Sequence, residues 1–306
     1  MKTLKIGPQE FEWGARTFVM GILNITPDSF SDDGLLCPSN PSPQAGGEIE
    51  ARALAQARRF LAGGALILDV GGESTRPGAQ TVTADEELER VLPVVRVIAA
   101  EFPQAVISID TYKAVVAEEA LQAGAHLVND VWGLRADPAL AAVVARGNVP
   151  VVLMHNRSKP SNAQVQEQLG GRYIGMEYQN LIADVKAELI ESVGLARAAG
   201  IPDEHILLDP GIGFGKTVEQ NLELLNRLDE ICALGFPVLL GPSRKSFIGY
   251  TLNLPPDQRV EGTAAAVSIG IARGADIVRV HDVEAMSRVA KMTDAIVRRS
   301  TLDIRL

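Results

Sequence analysis

The sequence predicts an α/β fold, a (β/α)8 TIM barrel built as a single domain behind a short N-terminal hairpin. Three observations carry this. Eight short aliphatic runs alternate with segments of helical spacing along the 306 residues. The runs show little polar alternation, as strands of a parallel sheet covered on both faces do. No linker or shift of composition divides the series. The length and the 46% apolar content alone would suit two domains of about 150 residues or one barrel of about 250 with additions. A doubly wound open sheet is the competing architecture; such sheets seldom reach eight strands of such even spacing.

Leu4 to Arg16 is expected to form a hairpin that plugs the N-terminal end of the barrel, so that residues 1–17 are the plug and 18–300 the barrel. Strands are expected at Phe18–Asn24, Ala65–Val70, Ala105–Asp110, His126–Asp130, Val149–His155, Ile206–Asp209, Phe236–Gly241 and Ala275–His281. The first helix, Glu48–Ala62, shows apolar residues at three- to five-residue spacing and stops at Gly63-Gly64. Thr83-Ala84-Asp85-Glu86 matches the capping-box pattern and opens a second helix, in which Pro93 predicts a kink. Further helices are expected at Lys113–Ala123, Pro138–Arg146, Gly175–Ala199, Val218–Ala233, Gly262–Arg273 and Val283–Arg298. Thr26–Gly47 and Asn156–Ile174 are longer than ordinary connections, which marks them as functional or disordered.

The charge balance, 29 basic against 38 acidic residues for a net −9, argues against a nucleic-acid partner, and the short basic cluster near the end, Arg298-Arg299, has no interleaved aromatics. Cys37 and Cys232 lie far apart without metal or disulfide spacing, which suits a reducing compartment. No apolar stretch of signal-peptide or membrane-spanning length appears. The expectation is a cytoplasmic protein with no membrane partner.

Each strand ends on, or runs into, a hydrogen-bonding group: Asn24, Asp69 with Glu73, Asp110, Asn129-Asp130, His155, Asp209, Ser243-Arg244-Lys245 and Arg279 with His281. Any one of these could be a turn or cap residue. Eight together point to one face, because the carboxyl ends of barrel strands open on the same side and the active sites of the fold sit there. Asp110, Asn129 and Asp209 suit a donor-rich heterocycle, while Arg76, Arg244, Lys245, Arg279 and His281 suit an anion.

Ile206–Thr217 (ILLDPGIGFGKT) is not a nucleotide loop, because Pro210 stands where a P-loop requires glycine and Lys216 where G-x-G-x-x-G requires its last. Its glycines instead suit close backbone approach beneath Phe214, which is either core filler or a stacking face. In Val70–Pro77 (VGGESTRP), Thr75 and Arg76 sit in a glycine-rich loop fit for a phosphate, unless Arg76 is only a solvated charge. Arg279 and His281 alternate onto one side of the last strand and pair for anion binding; His281 alone would suit a structural role.

The stretches MGILNITPDSFSDDG (20–34), DVGGESTRPGA (69–79), SIDTYK (108–113), VND (128–130), LMHNR (153–157), LLDPGIGFGK (207–216), GPSRKSFIG (241–249) and RVHDV (279–283) closely resemble dihydropteroate synthase, in order over essentially the whole barrel. The resemblance implies a (β/α)8 enzyme that joins 6-hydroxymethyl-7,8-dihydropterin pyrophosphate to p-aminobenzoate, releasing pyrophosphate and 7,8-dihydropteroate in folate synthesis. It places the pterin among Asp110, Asn129, Asp209, Lys245, Met154, Phe214 and Arg279. It places the pyrophosphate on Thr75, Arg76, Arg279, His281 and Asn24, with Asn24 helping to hold Mg2+. Phe30, Pro77, Phe214 and Ser243 would line the p-aminobenzoate pocket. Thr26–Gly34 and Gly72–Gly78 would be loops that close over the substrates, and a homodimer through the last helices is implied. The family's sulfonamide inhibitors compete with p-aminobenzoate. Leu35–Gly47, rich in Pro, Ser, Asn and Gly, departs from the family pattern as a flexible insertion.

Two other readings are a pterin-dependent methyltransferase on a related barrel, which would not need Thr75, Arg76 and His281, and a catalytically silent pterin-binding homologue, which should show a broken site. None of the matched positions is broken.

Overall fold

The structure is a computed structural model and describes residues 3–26, 45–75, 81–166, 168–174 and 176–298. Phe30, Arg76 and Pro77, most of the insertion and most of the two expected closing loops lie outside the described residues. The chain opens with an antiparallel hairpin of β1 (Thr3–Ile6) and β2 (Gln9–Glu12), followed by β3 (Phe18–Asn24), α1 (Ala45–Ala62), β4 (Ile67–Gly71), α2 (Ala84–Glu101), β5 (Val106–Asp110) and α3 (Ala114–Gln122). It continues through β6 (Leu127–Asp130), α4 (Leu140–Gly147), β7 (Val151–Met154), a small hairpin of β8 (Ala163–Gln166) and β9 (Gly170–Tyr173), α5 (Leu181–Ala198) and β10 (Ile206–Asp209). It ends with α6 (Val218–Asn226), α7 (Leu228–Cys232), β11 (Leu239–Leu240), α8 (Ser246–Leu252), α9 (Val260–Ala272), β12 (Ile277–Val280) and α10 (Val283–Val297).

Eight parallel strands run in the order β10-β7-β6-β5-β4-β3-β12-β11. A parallel bridge between Leu208 and Val238, with the Leu208 N–H donating to Pro237 O at 2.9 Å, joins the two ends of that series. The open sheet is thereby excluded. Each strand is wrapped by a helix, and the core falls into two parts as the barrel requires. Between strands and helices lies one continuous apolar layer. Inside, the lower barrel is filled by Met20, Ile67, Val106, Leu127, Val152, Leu207, Leu239 and Ile277, one from each strand, with Leu4, Ile6 and Phe11 of the hairpin packed beneath them. Phe11 stacks on Trp13 at 5.4 Å and meets Phe18 at 4.6 Å. Burying each such side chain is worth about 1.5–3 kcal/mol.

Local details differ from the sequence expectation. Ala45–Gly47, read as part of a flexible insertion, form the first turn of α1. Thr83 caps α2 by accepting from Glu86 N–H at 3.2 Å, but the Glu86 carboxylate is turned to Arg90. A full capping box appears instead at Thr217 and Gln220, at the head of α6. Pro93 sits within an unbroken α2. The expected helix Val218–Ala233 divides at Arg227, and the one expected from Gly175 begins at Leu181. The long connection after β7 folds into the β8–β9 hairpin, and the segment after β11 contains α8, which the sequence reading left without a helix.

Candidate active site

Alternation along the strands explains how polar groups reach the mouth of the barrel. Residues two apart face the same way, so the column above Ile67 holds Asp69, the column above Val106 holds Ser108 and Asp110, and that above Leu127 holds Asn129. Likewise Met154 stands above Val152, Asp209 above Leu207, Arg279 above Ile277, and Asn24 two steps above Met20. Strand register puts Asp110 beside Asn129, Met154 beside Asp209, and Asn24 beside Gly71.

Four of these groups form one network. Arg279 donates through Nε to Asp69 Oδ2 at 2.5 Å and through Nη2 to Asp110 Oδ2 at 2.6 Å, and Asn129 Nδ2 donates to the same Asp69 oxygen at 3.1 Å. Burial works against the Arg279 charge, yet the two carboxylates outweigh it and raise its pKa above the ordinary value. Burial pushes the Asp110 carboxyl up to about 7, with Arg279 opposing. The second half of the ring is the segment after β10. Asp209 Oδ1 accepts from Gly211 N–H at 2.7 Å. Lys245 Nζ donates to Ile212 O and lies 4.2 Å from the centre of the half-buried Phe214 ring, a cation–π contact. Burial lowers the Lys245 pKa to about 7 and raises that of Asp209, while each holds the other's charge.

Ser243 and His281 meet at the far side of the mouth. The Ser243 hydroxyl accepts from His281 N–H at 3.1 Å and contacts Nδ1 at 3.0 Å. Arg244, grouped by sequence with the anion-binding cations, forms a two-pronged pair with Asp282, at 2.9 Å through Nε and 2.6 Å through Nη2. Its backbone is left-handed, with φ 55°. Arg244 therefore braces the β11 and β12 loops against each other. Asn24 and Thr75 are half-buried at the ends of their segments, and Met154 is buried beside Asp209.

Several residues of the site went unassigned in the sequence reading. Asp69 was noted only as a strand end, yet it anchors Arg279 and Asn129. Lys113 joins Glu73 and the buried Glu87, each at 2.5 Å, and so ties the loop carrying Thr75 to α2. Lys216 and His155 lie just beneath the ring, bonded to each other at 2.9 Å. The available signal was only the position of Lys216 after Gly215, at the end of a glycine-rich stretch. Two open cavities, of about 810 and 600 Å3, share Arg157, Met176 and Glu177 and are lined by none of the ring residues; the convergent charges are in the barrel mouth.

Carboxylates and a carboxamide can accept from or donate to the edge of a flat polar heterocycle, Lys245 can donate to a carbonyl, and Phe214 offers a face for stacking. No group of three His, Cys, Asp or Glu able to hold a metal occurs among the described residues. A barrel with this mouth, in a chain whose residues 20–281 match the family described as pterin binding enzyme, is an enzyme of the pterin-binding class. The chain is 50% identical to the dihydropteroate synthase of Clostridium beijerinckii over 297 residues, covering 97% of this chain and 100% of that one. It is 47% identical to that of Bacillus subtilis over 294 residues, 95% of this chain and 93% of the other. A Yersinia pestis dihydropteroate synthase solved with a sulfonamide drug superposes with a TM-score of 0.85 at 40% identity, covering 98% of this chain and 100% of that one. One from Coxiella burnetii, solved with pteroic acid, gives a TM-score of 0.81 at 36% identity over 98% and 99% of the two chains. The chain belongs to the dihydropteroate synthase family.

Proposed function

We propose that the barrel mouth holds 6-hydroxymethyl-7,8-dihydropterin pyrophosphate and joins its methylene to the amine of p-aminobenzoate, giving 7,8-dihydropteroate and pyrophosphate. The observation that carries this is the convergence of Asp110, Asn129, Asp209 and Lys245 with Arg279 in one buried ring. In this reading Asp209 accepts from the amino-pyrimidine N–H groups, Asn129 and Asp110 hold the opposite edge, and Lys245 donates to the ring carbonyl and N5 side. Met154, Phe214 and Arg279 pack the faces. Thr75, Arg76, Arg279 and His281 bind the pyrophosphate.

The bond that breaks joins the methylene to the pyrophosphate oxygen, and the bond that forms joins the methylene to the aniline nitrogen, which loses one proton. Negative charge gathers on the departing pyrophosphate, where arginine, histidine and hydroxyl donors stabilise it. No side-chain nucleophile takes part. Positioning the amine in line with the methylene can contribute roughly 7–11 kcal/mol in well-oriented pairs. Asn24, a neutral oxygen ligand at the mouth, would help to hold a Mg2+ beside the pyrophosphate. When bound, that ion would neutralise leaving-group charge.

Phe30, Pro77, Phe214 and Ser243 would line the p-aminobenzoate pocket, and sulfonamides would compete there, in keeping with the Yersinia pestis complex. We read the protein as cytoplasmic, with its two cysteines widely separated in sequence; among the described residues no helix is long and apolar enough to cross a membrane. A homodimer through α9 and α10 is supported by exposed Ile269, Met292 and Ile296 on those packed helices. The test is mass spectrometry of 7,8-dihydropteroate after incubation with both substrates and Mg2+. Formation of the product supports the reading, and its absence from a folded preparation refutes it.

A further inference from the structure

One enclosed lysine has no part in the steps above. Lys216 is 2% exposed, and its Nζ reaches Gly211 O at 2.9 Å, Phe214 O at 3.0 Å and His155 Nδ1 at 2.9 Å. Burial drives the Lys216 pKa well below its ordinary value, with the Asp209 carboxylate the main opposing influence; against that burial, three acceptors match the three N–H donors of an ammonium. For Nδ1 to accept, the imidazole proton must sit on Nε2, and that atom faces Glu188 Oε2 at 3.2 Å. This bonding pattern assigns the tautomer. Burial first, and Lys216 second, hold His155 neutral, with a pKa of about 4. Glu188 is fixed in turn by Arg157 Nε at 2.6 Å.

The lysine grips the turn that presents the ring-binding groups. Gly211 O also accepts from Phe214 N–H at 3.1 Å, which closes a four-residue turn. At one end of this turn, Gly211 N–H donates to the Asp209 carboxylate; at the other stands the Phe214 ring. Lys245 holds the opposite side of the turn through Ile212 O and that ring. The turn has no room to slide. Gly211 and Gly215 have φ of 70° and 59°, and a Cβ on either would collide with backbone of His155 or Arg157.

We propose that Lys216 is a positioning residue for the pterin pocket: by bonding Gly211 O and Phe214 O from beneath, it sets the places of the Asp209 carboxylate and the Phe214 ring, while His155 and Glu188 set the place of Lys216. This rests on the reading that the ring holds a pterin. Its consequence is selective. Loosening the turn weakens ring binding, whereas pyrophosphate, which in that reading meets Thr75, Arg76 and His281 and no group of the turn, is unaffected.

Lys216→Met keeps the aliphatic stem and removes the three donors. The full-length protein is titrated by calorimetry with 6-hydroxymethylpterin and, separately, with inorganic pyrophosphate in the presence of Mg2+. The Kd for the ring compound is expected to rise about tenfold or more, while the Kd for pyrophosphate stays within about twofold. Ring affinity within about twofold of the unaltered protein, or equal losses for both ligands, overturns the proposal. If Lys216→Met does not fold by circular dichroism, the His155 pair decides: His155→Leu is expected to weaken ring binding about threefold, and His155→Asn, whose Oδ1 can replace Nδ1 as acceptor, to retain it. Equal affinities in those two variants overturn the proposal. Failure of the unaltered protein to bind 6-hydroxymethylpterin would instead remove the functional reading beneath it, and that outcome is distinct from either variant result.

Discussion

Arg279 donates to the Asp110 carboxylate at 2.6 Å across 169 residues of sequence, and this pair links β12 to β5 through the interior of the barrel. The same guanidinium holds Asp69, which is fully buried. Removing one partner of a buried pair leaves uncompensated charge, which costs about 3–5 kcal/mol. Arg279→Met is therefore expected to lose about that much stability in urea unfolding, and Arg279→Lys to recover only part of it, since an ammonium lacks the fork that serves two carboxylates. Equal stability of Arg279→Met and the unaltered protein would contradict the network.

Asp209 separates binding from folding. Burial raises its pKa, with Lys245 the main opposing charge, so Asp209→Asn removes a charge that the fold holds at a cost while keeping an oxygen for Gly211 N–H. Urea stability should change by less than about 1 kcal/mol, and pterin affinity should fall about a hundredfold by calorimetry, the scale of a lost charge-assisted pair of bonds. Parallel loss of both would show that Asp209 is a structural residue.

The hydrogen bonds of Lys113 make it the tether of the loop that carries Thr75. Lys113→Met strands Glu87, whose pKa burial already raises, and should destabilise the protein by about 3 kcal/mol. The KM for dihydropterin pyrophosphate should rise more than the Kd for 6-hydroxymethylpterin, because the loop lies at the pyrophosphate end. A larger effect on the ring compound would place the loop elsewhere.

His155 gives the protein an acid-side weakness. Its pKa is held at about 4 against an ordinary 6.5, by burial first and Lys216 second. Above pH 6.5 the ring is neutral folded or unfolded, and its contribution to stability is fully present. Between 6.5 and about 4 the unfolded chain takes up a proton that the folded chain refuses, so stability falls as pH falls, by about 3 kcal/mol over that window. Urea unfolding of His155→Asn at about pH 7 and about pH 4.5 should show a smaller difference than the unaltered protein does. An unchanged difference would mean that other groups set the acid limit.

The barrel was legible because parallel strands covered on both faces leave an unmistakable run of aliphatic residues, and the candidate site was legible wherever a polar group lies at or next to the last residue of a strand, as Asn24, Asp110, Asn129, Asp209 and Arg279 do. What sequence could not show was pairing at a distance. Arg244 looked like an anion binder, but its partner Asp282 lies on the next strand's loop. Lys216 looked like a broken phosphate motif, because nothing in a linear chain shows that His155 and two carbonyls surround its Nζ. The β8–β9 hairpin was hidden for another reason: Ala163–Gln166, mostly exposed, and Gly170–Tyr173, mostly half-buried, are largely polar or glycine, so no apolar face marks them as strands.

Pyrophosphate release, measured with each of dihydropterin pyrophosphate, p-aminobenzoate and Mg2+ omitted in turn, tests the central claim most directly. The account expects release only when all three are present. Release at the full rate without p-aminobenzoate, or none with the complete set, would contradict it.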